Sequence, residues 1–323
     1  MSERPAEERS ASAATSVDAL ARVVDNISVV VKAPEDTLRL AVVSLVSEGH
    51  LIIEDFPGVG KTMLAKALAR SIDCSFSRIQ FTPDLLPSDV TGVNVFDQRT
   101  NEFEFRPGPV FANILLVDEI NRASPKTQAA LLECMQENQV TVDGVSYPLG
   151  RPFMVLATQN PIEYEGTYPL PEAQLDRFTM RLAIGYPPLQ DEARMLSEQT
   201  SEPPLDSLEP VASASEITAV IDDAKGMFVE ESVNRYVVAL LRHTRADERL
   251  YLGASPRAGI ALLRVAKALA LANGRDYVAP DDVKAVAVPV LAHRLILGPE
   301  ARAAGLSASD LIADAVERTP VPV

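Results

Sequence analysis

Between residues 51 and 62 the chain reads Leu51-Ile-Ile-Glu-Asp-Phe-Pro-Gly-Val-Gly-Lys-Thr62, an apolar run entering a turn with two glycines and then a helical pattern over 63–69. A strand that re-enters as a helix through such a turn constrains the fold to an α/β sheet. It also makes a phosphate pocket, because successive backbone N–H groups and the positive end of the helix dipole face the same space. The residues nominated for nucleotide contact are Pro57, Gly58, Val59, Gly60, Lys61, Thr62 and Met63. Lys61 suits the β- and γ-phosphates and Thr62 suits a Mg²⁺ ion. Against the pattern G-x-x-x-x-G-K-[ST], Asp55 stands at the first glycine, so its carboxylate has to point away from the phosphates. A helix that merely begins with Gly and Lys by chance is the competing account, and the strand before and helix after disfavour it.

Two further apolar runs end in polar residues. Asn113-Ile-Leu-Leu-Val-Asp-Glu-Ile-Asn-Arg122 drives a buried strand into Asp118 and Glu119, and Phe153-Met-Val-Leu-Ala-Thr-Gln-Asn160 ends in Asn160. Alone, the first is the polar end of a strand and the second is a turn before Pro161. Beside a phosphate loop they take on chemistry, since parallel α/β sheets bind ligands at the carboxyl ends of their strands. Asp118 is then expected to hold Mg²⁺, Glu119 to polarise the attacking water, and Asn160 to orient that water or sense the γ-phosphate.

With these runs, Gln128-Ala-Ala-Leu-Leu-Glu-Cys-Met-Gln-Glu137, Val140-Thr-Val-Asp-Gly144 and Glu165-Gly-Thr-Tyr-Pro-Leu-Pro-Glu-Ala-Gln-Leu-Asp-Arg-Phe178, the chain resembles MoxR-type AAA+ ATPases over nearly everything after residue 16. The resemblance implies an ATP- and Mg²⁺-dependent, ring-forming enzyme, a hexamer, with nucleotide between neighbouring subunits. Arg177 matches the arginine supplied in trans, where a guanidinium meets the charge that builds on the γ-phosphoryl oxygens. Arg257, in Gly253-Ala-Ser-Pro-Arg-Ala-Gly259, resembles the sensor arginine that a lid brings to the γ-phosphate in cis. Sequence alone also permits an Asp176–Arg177 surface pair, and Ser255-Pro256 as an ordinary helix cap. The resemblance further implies chaperone-like maturation of proteins carrying von Willebrand factor A-type domains. A nucleotide-controlled switch, the ATPase subunit of a metal chelatase and a P-loop kinase are the alternatives. Glu119 beside Asp118 fits water activation better than it fits a phosphate acceptor.

Composition narrows the partners. Of 323 residues, 45 are acidic and 30 basic, a net charge of −15, which argues against sequence-independent nucleic-acid binding. Cys74 and Cys134 lack metal-ligand spacing and read as reduced packing residues; His50, His243 and His293 are assigned no site. No signal peptide or membrane-length apolar run is evident, so a cytoplasmic location is expected.

The expected organisation is a disordered tail over 1–16, a nucleotide-binding α/β core over 17–187 and an all-helical lid over 188–323. Helices are expected at 17–31 and 35–48 in the core, and at 191–199, 215–224, 231–244, 256–272, 280–296 and 307–315 in the lid. Pro187-Pro188 and Glu202-Pro-Pro204 interrupt the chain between the two parts. Two hairpins are expected within the core: one pairs 93–96 with 103–105, and the other turns at Asp143-Gly144. Either hairpin suits contact with a client, and Tyr147 reads as a packing residue.

Overall fold

A computed structural model describes residues 6–160, 167–187, 189, 190, 192 and 205–321, with side chains from residue 14 onward. Helices α1 (Ala6–Val30) and α2 (Glu35–Val46) precede strand β1 (Leu51–Glu54), helix α3 (Lys61–Ser71) and strand β2 (Phe76–Gln80). A short helix α4 (Pro87–Thr91) leads into hairpin β3 (Gly92–Asp97) and β4 (Glu102–Pro107). Then come β5 (Ile114–Asp118), α5 (Pro125–Glu137), hairpin β6 (Gln139–Val142) and β7 (Val145–Pro148), β8 (Met154–Gln159), α6 (Glu172–Leu175) and β9 (Met180–Leu182). β2, β5, β8, β1 and β9 form one parallel sheet in that order.

The central strands are apolar throughout because both faces of this sheet are covered. Leu51, Ile53, Ile114, Leu116, Met154 and Leu156 face α1, α2 and α3, while Ile52, Leu115, Val117, Val155 and Ala157 face α5 and the loop around Phe81 and Phe178. Each set alternates along its strand with the period of two that a pleat imposes.

The second part comprises α7 (Ala214–Lys225), α8 (Glu231–Ala246), β10 (Leu250–Leu252), α9 (Pro256–Ala272), α10 (Pro280–Leu291), β11 (Ile296–Leu297), α11 (Pro299–Ala303) and α12 (Ala308–Arg318). Its apolar faces join the same core as α1 and α2. Serine caps start three of these helices: Ser213, Ser255 and Ser307 each accept a backbone N–H three residues on. β10 and β11 add a small antiparallel ladder, too short to leave a periodic signal.

Two helix bounds differ from expectation. α1 begins at Ala6, inside the segment read as a tail, because residues 6–14 are Ala-, Glu- and Arg-rich helix formers that lack an apolar stripe. Residues 1–5, most of 191–199 and 202–204 lie outside the described residues. α10 ends at Leu291 instead of 296, shortly after Pro289 removes a helical donor, and a 3₁₀ turn (Ala292–Arg294) buries His293 and Arg294. Both hairpins form as expected, with Asp143 and Gly144 at positive φ. Tyr147 stacks on Phe105 at 4.1 Å and Asn94 bonds Asp143, so the two hairpins brace each other. Burial pushes both thiols up to about 12, as packing residues require.

His50 is structural. It is buried, its Nε2 donates to the Met135 carbonyl at 3.1 Å, and its Nδ1 accepts the Val155 amide at 3.0 Å, tying α5 to β8. Both bonds require one neutral tautomer, and burial lowers the pKa to about 4 against the opposing hydrogen bond to Met135. The unfolded chain takes up this proton near pH 6.5, so the stabilisation is complete above that pH and is lost as pH falls towards 4. It amounts to about 3 kcal/mol. The thermal unfolding midpoint should fall across this window, and less steeply in His50→Gln; an equal slope in both proteins would contradict the assignment.

Candidate functional site

The carboxyl ends of β1, β5 and β8 lie side by side, with Glu54 opposite Gln159 and Val117 opposite Ala157. The phosphate loop leaves β1 here. Gly58 (φ 86°) and Gly60 (φ 96°) take backbone angles that L side chains resist, and a Cβ on either would meet no atom within 4 Å. The loop therefore bounds open space, with Lys61 and Thr62 at the head of α3.

Lys61 Nζ donates to the Asp55 carbonyl. Burial depresses its pKa, and the charges of Asp55, Asp118 and Glu119 oppose that shift. Asp55 itself is buried and faces the other way: Oδ1 accepts its neighbour Phe56 N–H at 2.8 Å, and Oδ2 accepts Ile184 N–H and Gly185 N–H, each at 2.7 Å. The residue in place of the first glycine thus points away from the phosphate space and ties the loop to the chain leaving β9.

Asp118 and Glu119 end β5. Asp118 accepts from Arg78 Nε at 2.6 Å and from the Thr158 hydroxyl at 3.4 Å. Glu119 adopts φ 55°, ψ 55°, a left-handed backbone that costs an L-residue roughly 1–2 kcal/mol. Thr158 Oγ1 holds it by accepting the Glu119 N–H at 2.9 Å. The carboxylate accepts from Gln80 at 2.8 Å and from Arg122 at 3.0 Å. Asn160 follows directly on β8. Pro57 and Val59 flank the loop's glycines, and Met63 follows Thr62 in the first turn of α3.

Arg177 packs against α5. Arg177 donates to the Leu132 carbonyl at 3.3 Å and to the Gln136 amide oxygen, lining with α5 an open cavity of about 290 Å³. Among the described residues its side-chain hydrogen bonds go to α5, none to the phosphate loop. Arg257 is exposed, one residue inside the start of α9.

The residues present fit Mg²⁺. A hydroxyl (Thr62) and a carboxylate (Asp118) are hard oxygen donors, and Mg²⁺ is usually held by one or two carboxylates with water and substrate phosphates. Among the described residues no group of three or more His, Cys, Asp or Glu forms a self-sufficient metal cage.

Sequence reasoning overlooked Arg78, Gln80, Arg122 and Thr158. The first two were legible in part: they alternate with buried Ile79, and β2 pairs with β5 so that Gln80 lies opposite Asp118.

Residues 50–180 match the model of an ATPase family associated with various cellular activities (AAA), and residues 242–315 match an AAA lid domain. The chain is 48% identical over 304 residues to the uncharacterised protein YeaC of Bacillus subtilis, covering 94% of this chain and 95% of that one. It is 40% identical over 318 residues to chaperone MoxR1 of Mycobacterium tuberculosis, covering 96% and 84%. A crystal structure from Cytophaga hutchinsonii superposes with a TM-score of 0.88 at 40% identity, covering 98% of each chain.

Replacing Asp55 by the glycine of the general motif should destabilise the protein, because the Ile184 and Gly185 N–H groups lose a charged acceptor. The expected cost is about 2 kcal/mol in chemical denaturation, and unchanged stability would show that the carboxylate contributes nothing.

Proposed function

Because this chain belongs to the MoxR family of AAA+ ATPases, we propose that it hydrolyses ATP at a site shared between adjacent subunits of a six-membered ring and uses the cycle to remodel client proteins. The observation that carries the reading is the glycine loop with Lys61 and Thr62 at the head of α3, set beside the strand ends that carry Asp118 and Glu119, while Arg177 extends along α5.

In this reading residues 57–63 wrap the phosphates, with Lys61 leaving the Asp55 carbonyl for the β- and γ-oxygens. Thr62 and Asp118 hold Mg²⁺, which when bound offsets phosphate charge. Glu119 takes the proton from the attacking water, which requires its carboxylate to exchange Gln80 and Arg122 for that water. Asn160 orients the water. Arg257 reaches the γ-phosphate of its own subunit and Arg177 that of a neighbour, each meeting charge as the γ-phosphoryl group is transferred.

The braced hairpins β3–β4 and β6–β7 suit client contact, since Phe96, Phe103 and Val145 are exposed on them. A protein with a von Willebrand factor A-type domain is the proposed partner. The acidic balance disfavours nucleic acid as a partner. Cytoplasmic action is part of the proposal; among the described residues no helix is long and apolar enough to cross a membrane.

Lys61→Ala should abolish ATP binding in equilibrium titration, and normal binding would remove the phosphate-loop assignment. Glu119→Gln should bind ATP while losing nearly all turnover. Arg177→Ala should lose about 10³-fold or more. An equimolar mixture of the last two should regain activity, because one supplies the arginine and the other the intact water site. A mixture as inactive as its components would contradict a shared site.

A further inference from the structure

Among the described residues Arg294 is the most buried lysine or arginine, its side chain 3% exposed in the 3₁₀ turn after α10. One terminal nitrogen donates to the Phe178 carbonyl at 2.8 Å and to the Asp176 carbonyl at 3.4 Å. His293 Nε2 donates to the same Phe178 carbonyl at 3.0 Å. On the other side, Ser255 Oγ, the cap of α9 two residues before Arg257, donates to Asp176 Oδ2 at 3.4 Å. Two lid elements therefore grip the residues immediately before and after Arg177.

We propose that Arg294 and Asp176 form a positioning pair through which the lid of a subunit sets its own Arg177, the arginine offered to the neighbour's nucleotide. The inference rests on the shared-site reading above. It connects two sites, because the lid carrying Arg257 answers to the subunit's own nucleotide while Arg177 acts on the next.

The energetics favour a geometric role over a packing one. Burying a guanidinium costs several kcal/mol, and an apolar side chain of similar volume often serves stability as well or better. Burial lowers the Arg294 pKa to about 10, with Asp176 opposing and Arg257 adding to the shift, so the group stays charged at neutral pH. Its bonding is also incomplete. Nε lies 3.1 Å from Asp176 Oδ1 but is misaligned for a hydrogen bond, leaving Nε, the second terminal nitrogen and Oδ1 buried without hydrogen-bond partners. A lid shift that aligned Nε with Oδ1 would satisfy two of these atoms and carry the backbone around Arg177 with it. Arg257 lies close enough to disfavour the Arg294 charge, so its departure towards a γ-phosphate strengthens the Arg294–Asp176 pair.

The test uses mixed rings of full-length protein. Arg294→Met alone should lose about 10²-fold in kcat, the scale of a misplaced catalytic group, with the KM for ATP little changed. Mixed with Glu119→Gln, whose Arg177 is properly held, it should regain turnover. Mixed with Arg177→Ala it should not, since neither partner presents a working trans arginine. Recovery with Arg177→Ala overturns the proposal, as does failure to recover with Glu119→Gln, which would place the defect in the subunit's own site. If Arg294→Met proves unfolded by circular dichroism, Asp176→Asn takes its place in both mixtures with the same expectations. The mixture of Arg177→Ala with Glu119→Gln is the control: its failure removes the shared-site reading itself.

Discussion

Parallel pairing of β1 with β8 and of β8 with β5 fixes where every polar strand end falls. The strands are apolar on both faces, so their polar groups fall at the strand ends, where they find partners. Three ends in one line bring Asp55, Asp118 and Asn160 to the same edge, and α3 starts there with its free N–H groups. The helices, the hairpins and the second part of the molecule are arranged around that edge.

The charged groups at the edge each have a partner within the protein. Lys61 rests on a backbone carbonyl, Asp118 on Arg78 and Thr158, and Glu119 on Gln80 and Arg122. Asp55 extends the same logic outward, since its carboxylate joins the phosphate loop to Ile184 and Gly185. A charge at the loop is thereby linked mechanically to the segment leaving the sheet. Glycine at position 55 would give the loop more freedom and remove that link.

Much of this was legible in the sequence. Buried strands ending in Asp118 and Asn160, the glycine turn before Lys61, the Asp143-Gly144 hairpin and the Ser255-Pro256 helix start all leave local signals. What escaped was set by contacts distant in sequence. Arg78 acquires meaning only when β2 pairs beside β5, and Thr158 only when β8 does. Arg294 looked like the end of a long helix, whereas the turn after Pro289 swings it 116 residues back along the chain to Phe178. His50 carried no motif because its role is to bond two backbones, which no spacing announces. Residues 6–16 were misjudged for the opposite reason, since their helix propensity has no apolar stripe to reveal it.

The central claim is that the catalytic unit is completed by a second subunit. ATP turnover per subunit should therefore be measured over a wide range of protein concentration, with the assembled mass recorded in the same samples. The account predicts that turnover rises with assembly and reaches a plateau once the ring is formed. Full turnover in samples that are monomeric by mass would contradict it.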